Sequence, residues 1–337
     1  MPAPTGAHTT LWYYWEEDSN GNIDFGAGDS TDDVDEKPFG GNATLSQLEG
    51  SNNAVDVFEP NSREMAQIIA QAFDGAFSVD FEWSNPWWLK GLISDAATVN
   101  NGDGTYTHTF DGDSPYPMTI CAGYDDRATE SAGRQDERFL EGCVVQSATV
   151  DTTTEDNVSV TLDGAYINED YQDNIQLTAQ PSLNYDVMTF AEALLELDSG
   201  FVSLVQDASV EINNNTTIIR ELGTRVGVDY SPKQRVPTVD YTKIRESDNE
   251  VKDMYGSQAA NAVQETVASD KDMVYEVDNG QATGSGQNQA QFSMSGSFPD
   301  SFSTENFGNP QEDLQEAINR RLRTVTAEAT NQTSVVP

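Results

Sequence analysis

The sequence predicts a mainly β protein, a β-sandwich or β-barrel with a few short α-helices, and two observations carry that class. Residues 139–167, FLEGCVVQSATVDTTTEDNVSVTLDGAYI, hold two alternating runs around the polar segment TTTEDN. Val144, Gln146, Ala148 and Val150 share one side of an extended chain, and Val158, Val160 and Leu162 form the second run. That pattern reads as a β-hairpin in a sheet with one dry face and one wet face. The phrase then recurs. LVQDASVE at 204–211 aligns with VVQSATVD at 144–151, and each precedes an Asn/Thr-rich segment. Two copies of one β unit follow as an expectation, with residues 1–200 in the first and 201–337 in the second.

Composition sets the surroundings. The chain carries 57 Asp and Glu against 17 Lys and Arg, a formal charge of -40, with 36% hydrophobic and 9% aromatic residues. Self-repulsion on that scale opposes compaction at ordinary ionic strength and is largely screened in molar salt. Scarce lysine with acids spread along the whole chain looks like the proteins of extreme halophiles. The aromatic content and regular strand patterns argue against a disordered acidic chain. The lack of a basic stripe to neutralise phosphates argues against ordinary nucleic-acid binding, although such a surface could line a passage to which DNA must not adhere. Residues 1–15 show neither a basic n-region nor an apolar h-region, and no stretch approaches a membrane span, so the sequence predicts assembly in the cytoplasm and no membrane partner. Cys121 and Cys143 lie outside any CxxC arrangement and read as buried thiols or as one bridge.

Along the chain, 9–15 is an aromatic first strand and 16–41 an acidic loop. Asp18, Asn20, Asn22 and Asp24 have the alternate spacing that opens a calcium loop, but Ile23 stands where the sharp turn needs Gly and no Glu closes it, so a solvated turn is the better reading. Pro60 and Asn61 introduce a helix over 62–74, with Met65, Ile68, Ile69, Ala72 and Phe73 at helical spacing and Gly75 past its end. A strand at 76–83 leads to Trp87 and Trp88, which with Trp83 suit either a core anchor or a sugar platform. Strands at 105–110 and after the 114–118 turn precede a polar loop at 124–138. Beyond the hairpin, 169–182 is a polar connection. Thr189 and Glu192 form a capping pair for a helix ending before Gly200.

The second half reads as strands at 205–211, 216–222, 226–230 and 236–244, a helix near 257–267, and strands at 273–277 and 291–298. The loop between the last two holds Gly280, Gly284 and Gly286 but lacks the Lys of a phosphate-binding loop. A final helix over 310–322 opens at Pro310, has Glu312 and Asp313 in its first turn, and closes on Arg320, Arg321 and Arg323. Those arginines serve either the helix dipole or a latch onto an acidic neighbouring subunit. His8 and His108 are isolated, and no GxSxG, HExxH or paired-Cys motif supplies a catalytic, cofactor or metal set.

The order of aromatic first strand, helix near 62–74, and FLEGCV leading into the SATVDTTTEDNVSVTLDGAYI hairpin resembles the major tail tube proteins of long-tailed viruses and phages. With the acidic composition, the nearest group is the tailed viruses of halophilic archaea. The resemblance implies a structural virion protein without enzymatic activity, whose rings stack into a tube that conducts viral DNA without binding it specifically. It also implies other tail proteins at the tube ends. A fused double unit would close a pseudo-sixfold ring with three chains, and a single elaborated unit would need six. The alternatives are a capsid or decoration protein, or a halophilic carbohydrate-binding surface protein using Trp83, Trp87 and Trp88.

The charge alone generates a test. As the screening length grows from about 3 Å at 1 M salt to about 10 Å at 0.1 M, repulsion among the acids returns. Circular dichroism should show native structure lost on dialysis between those conditions, and an unchanged melting temperature would contradict the idea.

Overall fold

A computed structural model describes residues 9–17, 22–26, 36–58, 65–94, 96–124, 135–175, 186–265, 271–280, 288–307, 309, 312–334 and 336. Strands β1 (Thr9–Trp15), β2 (Gly41–Ser51), β3 (Val55–Phe58), β4 (Met65–Ile69) and β5 (Asp74–Glu82) precede helix α1 (Trp88–Ile93). Next come β6 (Ala97–Asn100), β7 (Tyr106–Phe110), β8 (Met118–Tyr124), β9 (Gln135–Thr153), β10 (Ser159–Tyr166) and β11 (Asn168–Ile175). The second half has β12 (Leu194–Leu197), β13 (Gly200–Phe201), β14 (Val205–Asn213), β15 (Thr217–Ile219), β16 (Asp229–Ser231) and β17 (Val236–Ile244). Helix α2 (Asn249–Met254), β18 (Lys271–Asp278), β19 (Gln289–Glu305), β20 (Gln315–Arg321) and β21 (Thr324–Asn331) complete it.

An antiparallel sheet of eight strands runs in the order β2-β5-β10-β9-β14-β17-β20-β19. The long strands β9 and β19 belong to this sheet only through their C-terminal halves. The N-terminal half of β9 pairs with β8 and β11, and β1 lies beyond β8. The N-terminal half of β19 pairs with β18 and β21, and β12 lies beyond β18. One contiguous apolar core joins these layers, with Val79, Phe81, Leu140, Val150, Val160, Leu162, Val210, Val239 and Phe292 all buried. The hairpin expected from alternation is β9–β10, with Val160 facing Val150 and Leu162 facing Ala148.

Each long strand bends at a glycine where it leaves one layer for the other. Gly142 has φ +64° and Gly296 φ +67°, in the left-handed region that a side chain disfavours. Space is short as well. A Cβ on Gly142 would stand 2.4 Å from Ile167 Cγ1, and one on Gly296 2.7 Å from Arg323 Cδ.

Pairing details recur in the two halves in the same chain order. Ser51 faces Asp74 as Asn213 faces Val236, and Glu82 faces Ser159 as Ile244 faces Gln315. Ser159 faces Asp151 as Gln315 faces Glu305. The β9–β10 ladder shifts between Asp163 and Gly164, and the β19–β20 ladder at the corresponding Pro299–Ser301 step. Hairpin β3–β4 interrupts the path from β2 to β5, as β15–β16 interrupts that from β14 to β17.

The helical expectations are overturned. Met65–Ile69 is strand β4, paired with Val55–Phe58, because the neighbouring VDVF run supplies a ladder partner and no core lies beneath a helix there. Gln315–Arg321 is strand β20, held between β17 and β19, where ladders on both sides override local helix signals. After Thr189 only a short 3-10 turn forms, Phe190–Glu192, before Leu194–Leu197 pairs with β18. The helix expected near 257–267 is replaced by α2, upstream of it, and 266–270 lie outside the described residues. Part of the connection expected at 169–182 is strand β11. Strands β2, β3, β6 and β21 and helix α1 were not anticipated, and 135–138 of the loop expected at 124–138 open strand β9. Cys121 and Cys143 are free and buried.

The bend residues allow a comparison. Gly142→Ala adds a clash to left-handed strain and should cost about 1–3 kcal/mol, whereas Gly102→Ala, at φ +84° in open space, meets strain alone. Thermal melts in molar salt should place the Gly142 variant lower, and equal melting would deny the bend its role.

Candidate assembly surfaces

The eight-stranded sheet ends in two strands that ladder on one side only. Among the described residues, β2 pairs with β5 alone, and the C-terminal half of β19 pairs with β20 alone. Unpaired rows of N–H and C=O groups are templates for another strand, and monomeric proteins usually blunt them with charge or proline. Residues 47–51 of β2 hold one charge, Glu49, and no proline. The core is also left open there. Leu45 and Leu48 of β2 and Phe302 of β19 are only half-buried against it, whereas Ala208, Val210 and Ile212 of β14, inside the sheet, are buried.

Two hairpin arms project from the ends of β2 and β14. In β3–β4, Val55, Val57, Phe58, Met65, Ile68 and Ile69 are all exposed, Ile68 at 61%. Six apolar side chains together on a two-stranded arm mark an interaction surface and not a solvated loop. The arm β15–β16 is instead folded across the first half. Arg225 Nε donates to Gln71 O at 2.9 Å and Phe73 N to Arg225 O at 2.8 Å, while Arg220 pairs with Asp74. Tyr230 donates its hydroxyl to Pro115 O at 2.8 Å and packs against Phe25 with ring centroids 5.2 Å apart.

The face of the eight-stranded sheet turned away from the core is acidic. Alternation places Glu49, Asp80, Glu82, Asp151, Asp163, Asp207, Glu211, Asp240 and Glu305 on it, among Ser147, Thr149, Thr161, Ser209 and Asn319. Arg321 is the basic residue of this face among those described, and it pairs with Asp300 at 3.1 Å.

Of the three C-terminal arginines, Arg320 is neither a dipole partner nor a latch, because it is fully buried under α2. Its Nη2 donates to Glu250 Oε2 at 2.8 Å and Asp253 Oδ2 at 2.7 Å. Lys243 pairs with Glu250 at 3.3 Å, and Lys271 pairs with Asp253. Burial lowers the Arg320 pKa, but Tyr241, Glu250 and Asp253 outweigh it and hold the guanidinium above its ordinary value. Arg323 packs its side chain beside Gly296. Sequence reasoning also missed Glu16, a buried carboxyl that accepts from Gly26 N at 2.6 Å, Gly142 N at 2.5 Å and Thr119 Oγ1 at 2.8 Å. Burial pushes its pKa up to about 7 against the pull of those donors. Nothing in the pattern of a Glu beginning an acidic loop distinguishes it from its exposed neighbours.

The remaining sequence candidates are dispersed. His108 is buried, with Nδ1 2.9 Å from Thr98 Oγ1 and Nε2 3.3 Å from Asn331 Oδ1, and burial lowers its pKa. His8, Asp18, Asn20, Gly284 and Gly286 lie outside the described residues, as do 125–134 and 281–287. Asn22 and Asp24 are exposed, and among the described residues no group of three or more His, Cys, Asp or Glu is placed to hold a metal ion. Trp83, Trp87 and Trp88 are at most 1% exposed, so their ring faces are closed to a sugar.

A family model described as phage tail tube protein matches residues 60–296, over two thirds of the chain. A cryo-EM structure of the anti-feeding prophage cap, the AFP tube terminating cap, is similar at 21% identity with a TM-score of 0.32. The likeness covers 46% of this chain and 95% of that one. No curated protein matches.

The buried cluster should respond sharply to loss of its centre. Arg320→Met leaves Glu250 and Asp253 buried beside fewer cations and should destabilise the fold by about 3–5 kcal/mol. Arg321→Met, at an exposed pair, should change it by less than about 0.5 kcal/mol. Denaturant melts of the two variants check the difference, and similar losses would contradict it.

Proposed function

Because the chain belongs to the phage tail tube protein family, a structural component of the virion tail, we propose that three copies close into one ring and that rings stack into the tube of a long-tailed virus. The observation that carries this reading is the recurrence of strand order, ladder register, bulge and left-handed glycine in the two halves. The chain is a tandem pair of tube units, the second opening at β12 and not at residue 201, so three chains supply six units.

Circumference separates three from six chains. With neighbouring strands about 4.8 Å apart, three eight-stranded sheets close a barrel about 37 Å across the backbone, and six close one about 73 Å across, before strand tilt widens either. The smaller bore clears a double helix and keeps its wall near; the larger leaves most of its section empty. The acidic sheet face is the lumen wall in this arrangement. Its carboxylates repel phosphates, and its one arginine is already paired with Asp300, so DNA slides without being held. The apolar arm β3–β4 docks on a neighbouring copy, and other tail proteins cap the ends. The charge of -40 suits a virus of a halophilic archaeon, with assembly in the host cytoplasm.

Native mass spectrometry of rings assembled in molar salt should count three chains, with roughly sixfold outlines in averaged images. Six chains per ring would overturn the tandem-unit reading. A chain that stays monomeric at high concentration, alone and with the other tail components, would overturn the tube itself.

A further inference from the structure

The joint between the two halves of one chain is a template for the joint between chains. Inside the chain, β9 and β14 meet antiparallel, with Ser147 facing Asn213, Ala148 facing Ile212, Thr149 facing Glu211, Val150 facing Val210 and Asp151 facing Ser209. The two strands bordering this seam have counterparts at the free edges. β2 takes the place of β14, because Ser51 faces Asp74 of β5 as Asn213 faces Val236 of β17. β19 takes the place of β9, because Glu305 faces Gln315 as Asp151 faces Ser159. The counterparts also run in the right directions, since every neighbouring pair in the sheet is antiparallel and eight is an even number of strands.

We propose that residues 301–305 of one copy pair antiparallel with residues 47–51 of the next, in the register of the internal seam. Carrying that register over sets Ser301 opposite Ser51, Phe302 opposite Gly50, Ser303 opposite Glu49, Thr304 opposite Leu48 and Glu305 opposite Gln47. The side chains fit this assignment. On the core side, half-buried Phe302 meets a glycine, and Leu48 gains the cover it lacks in the single chain. On the acidic side, small Ser301 and Ser303 face Ser51 and Glu49, and no two carboxylates stand directly opposite.

The seam also extends beyond the strands. Asn214 N donates to Gln146 O at 2.7 Å across the internal joint, and Asn52 and Asp300 occupy those two positions at the free edges. The arms agree independently. The second arm crosses the internal seam to Gln71, Phe73 and Asp74, and the first arm, leaving β2 as the second leaves β14, finds no such surface among the described residues and stays exposed. A second copy supplies it.

This assignment rests on the three-chain ring, and the experiment keeps the two apart. Directly opposed residues bring Cβ atoms within about 4.5–5.5 Å, near enough for a disulfide after small adjustment. The native thiols of Cys121 and Cys143 are buried, and burial raises their pKa, so background reaction is low. Glu49→Cys/Ser303→Cys, oxidised after assembly in molar salt, should give a covalently closed three-chain species that reductant dissolves. Gln47→Cys/Ser301→Cys, four residues out of register, should not. The internal pair Thr149→Cys/Glu211→Cys should close within a single chain and confirms that the chemistry reports this ladder.

Hydrogen exchange on the unmodified chain gives a second reading, in which amides of 47–51 and 301–305 should slow by about tenfold or more on passing from monomer to ring. Rings seen by microscopy with cross-linking only in the displaced pair, or with these amides still exchanging freely, would overturn the seam and leave the ring standing. Absence of rings under any condition would remove both.

Discussion

The ladder between β9 and β14 is the interaction on which the rest of the structure depends. Seven residue pairs, from Thr153 opposite Asp207 to Ser147 opposite Asn213, turn two four-stranded sheets into one. Backbone N–H and C=O groups next to a dry core must find partners, and the fully buried Val150 and Val210 leave no water for those of the seam. The same demand exists at β2 and at the end of β19, where no second ladder meets it among the described residues. Assembly then follows from the requirement that folds the protein, applied once more at its borders.

The two halves share a backbone but fill it differently. In the first, Phe77 lies over Gly164, where a Cβ would stand 2.4 Å from Phe77 Cζ. In the second, Val239 faces Arg320 at the corresponding place, and the guanidinium anchors α2 through Glu250 and Asp253. Helix α1 is held instead by Trp88, Leu89, Leu92 and Ile93, all buried. What recurs is what hydrogen-bond geometry and chain direction dictate, namely register, bulge and left-handed glycine. The interior filling varies as long as volume and polarity are balanced locally. A buried ion cluster is also less screened than surface pairs, so it keeps its attraction in concentrated salt.

The period of two in 144–166 was legible because one face is dry and the other wet, but the repeated VVQSATVD and LVQDASVE phrases fall on β9 and β14, which are neighbours across the seam and not counterparts, since the recurrent pairing matches β9 with β19 and β14 with β2. Helices were misread where apolar residues happened to fall three and four apart. Met65, Ile68 and Ile69 do so, yet they form a strand because Val55–Phe58 lies within reach to pair with them. Arg320 looked like a surface charge for the same reason, since a helix end was expected where a central strand runs. Local pattern carries no information about which distant segment offers a ladder. The free edges became recognisable as assembly surfaces only from strand order.

In the proposed three-chain ring, joining two units in one chain would change how the ring comes together. Half of its seams form during folding, at an effective concentration fixed by the connecting chain and independent of how many molecules surround it. Only the remaining half would wait for encounters between copies, so a closed ring would take two collisions and one closure where six unlinked units would take five and one. Dilution therefore acts on alternate joints alone, and a broken ring sheds units in pairs.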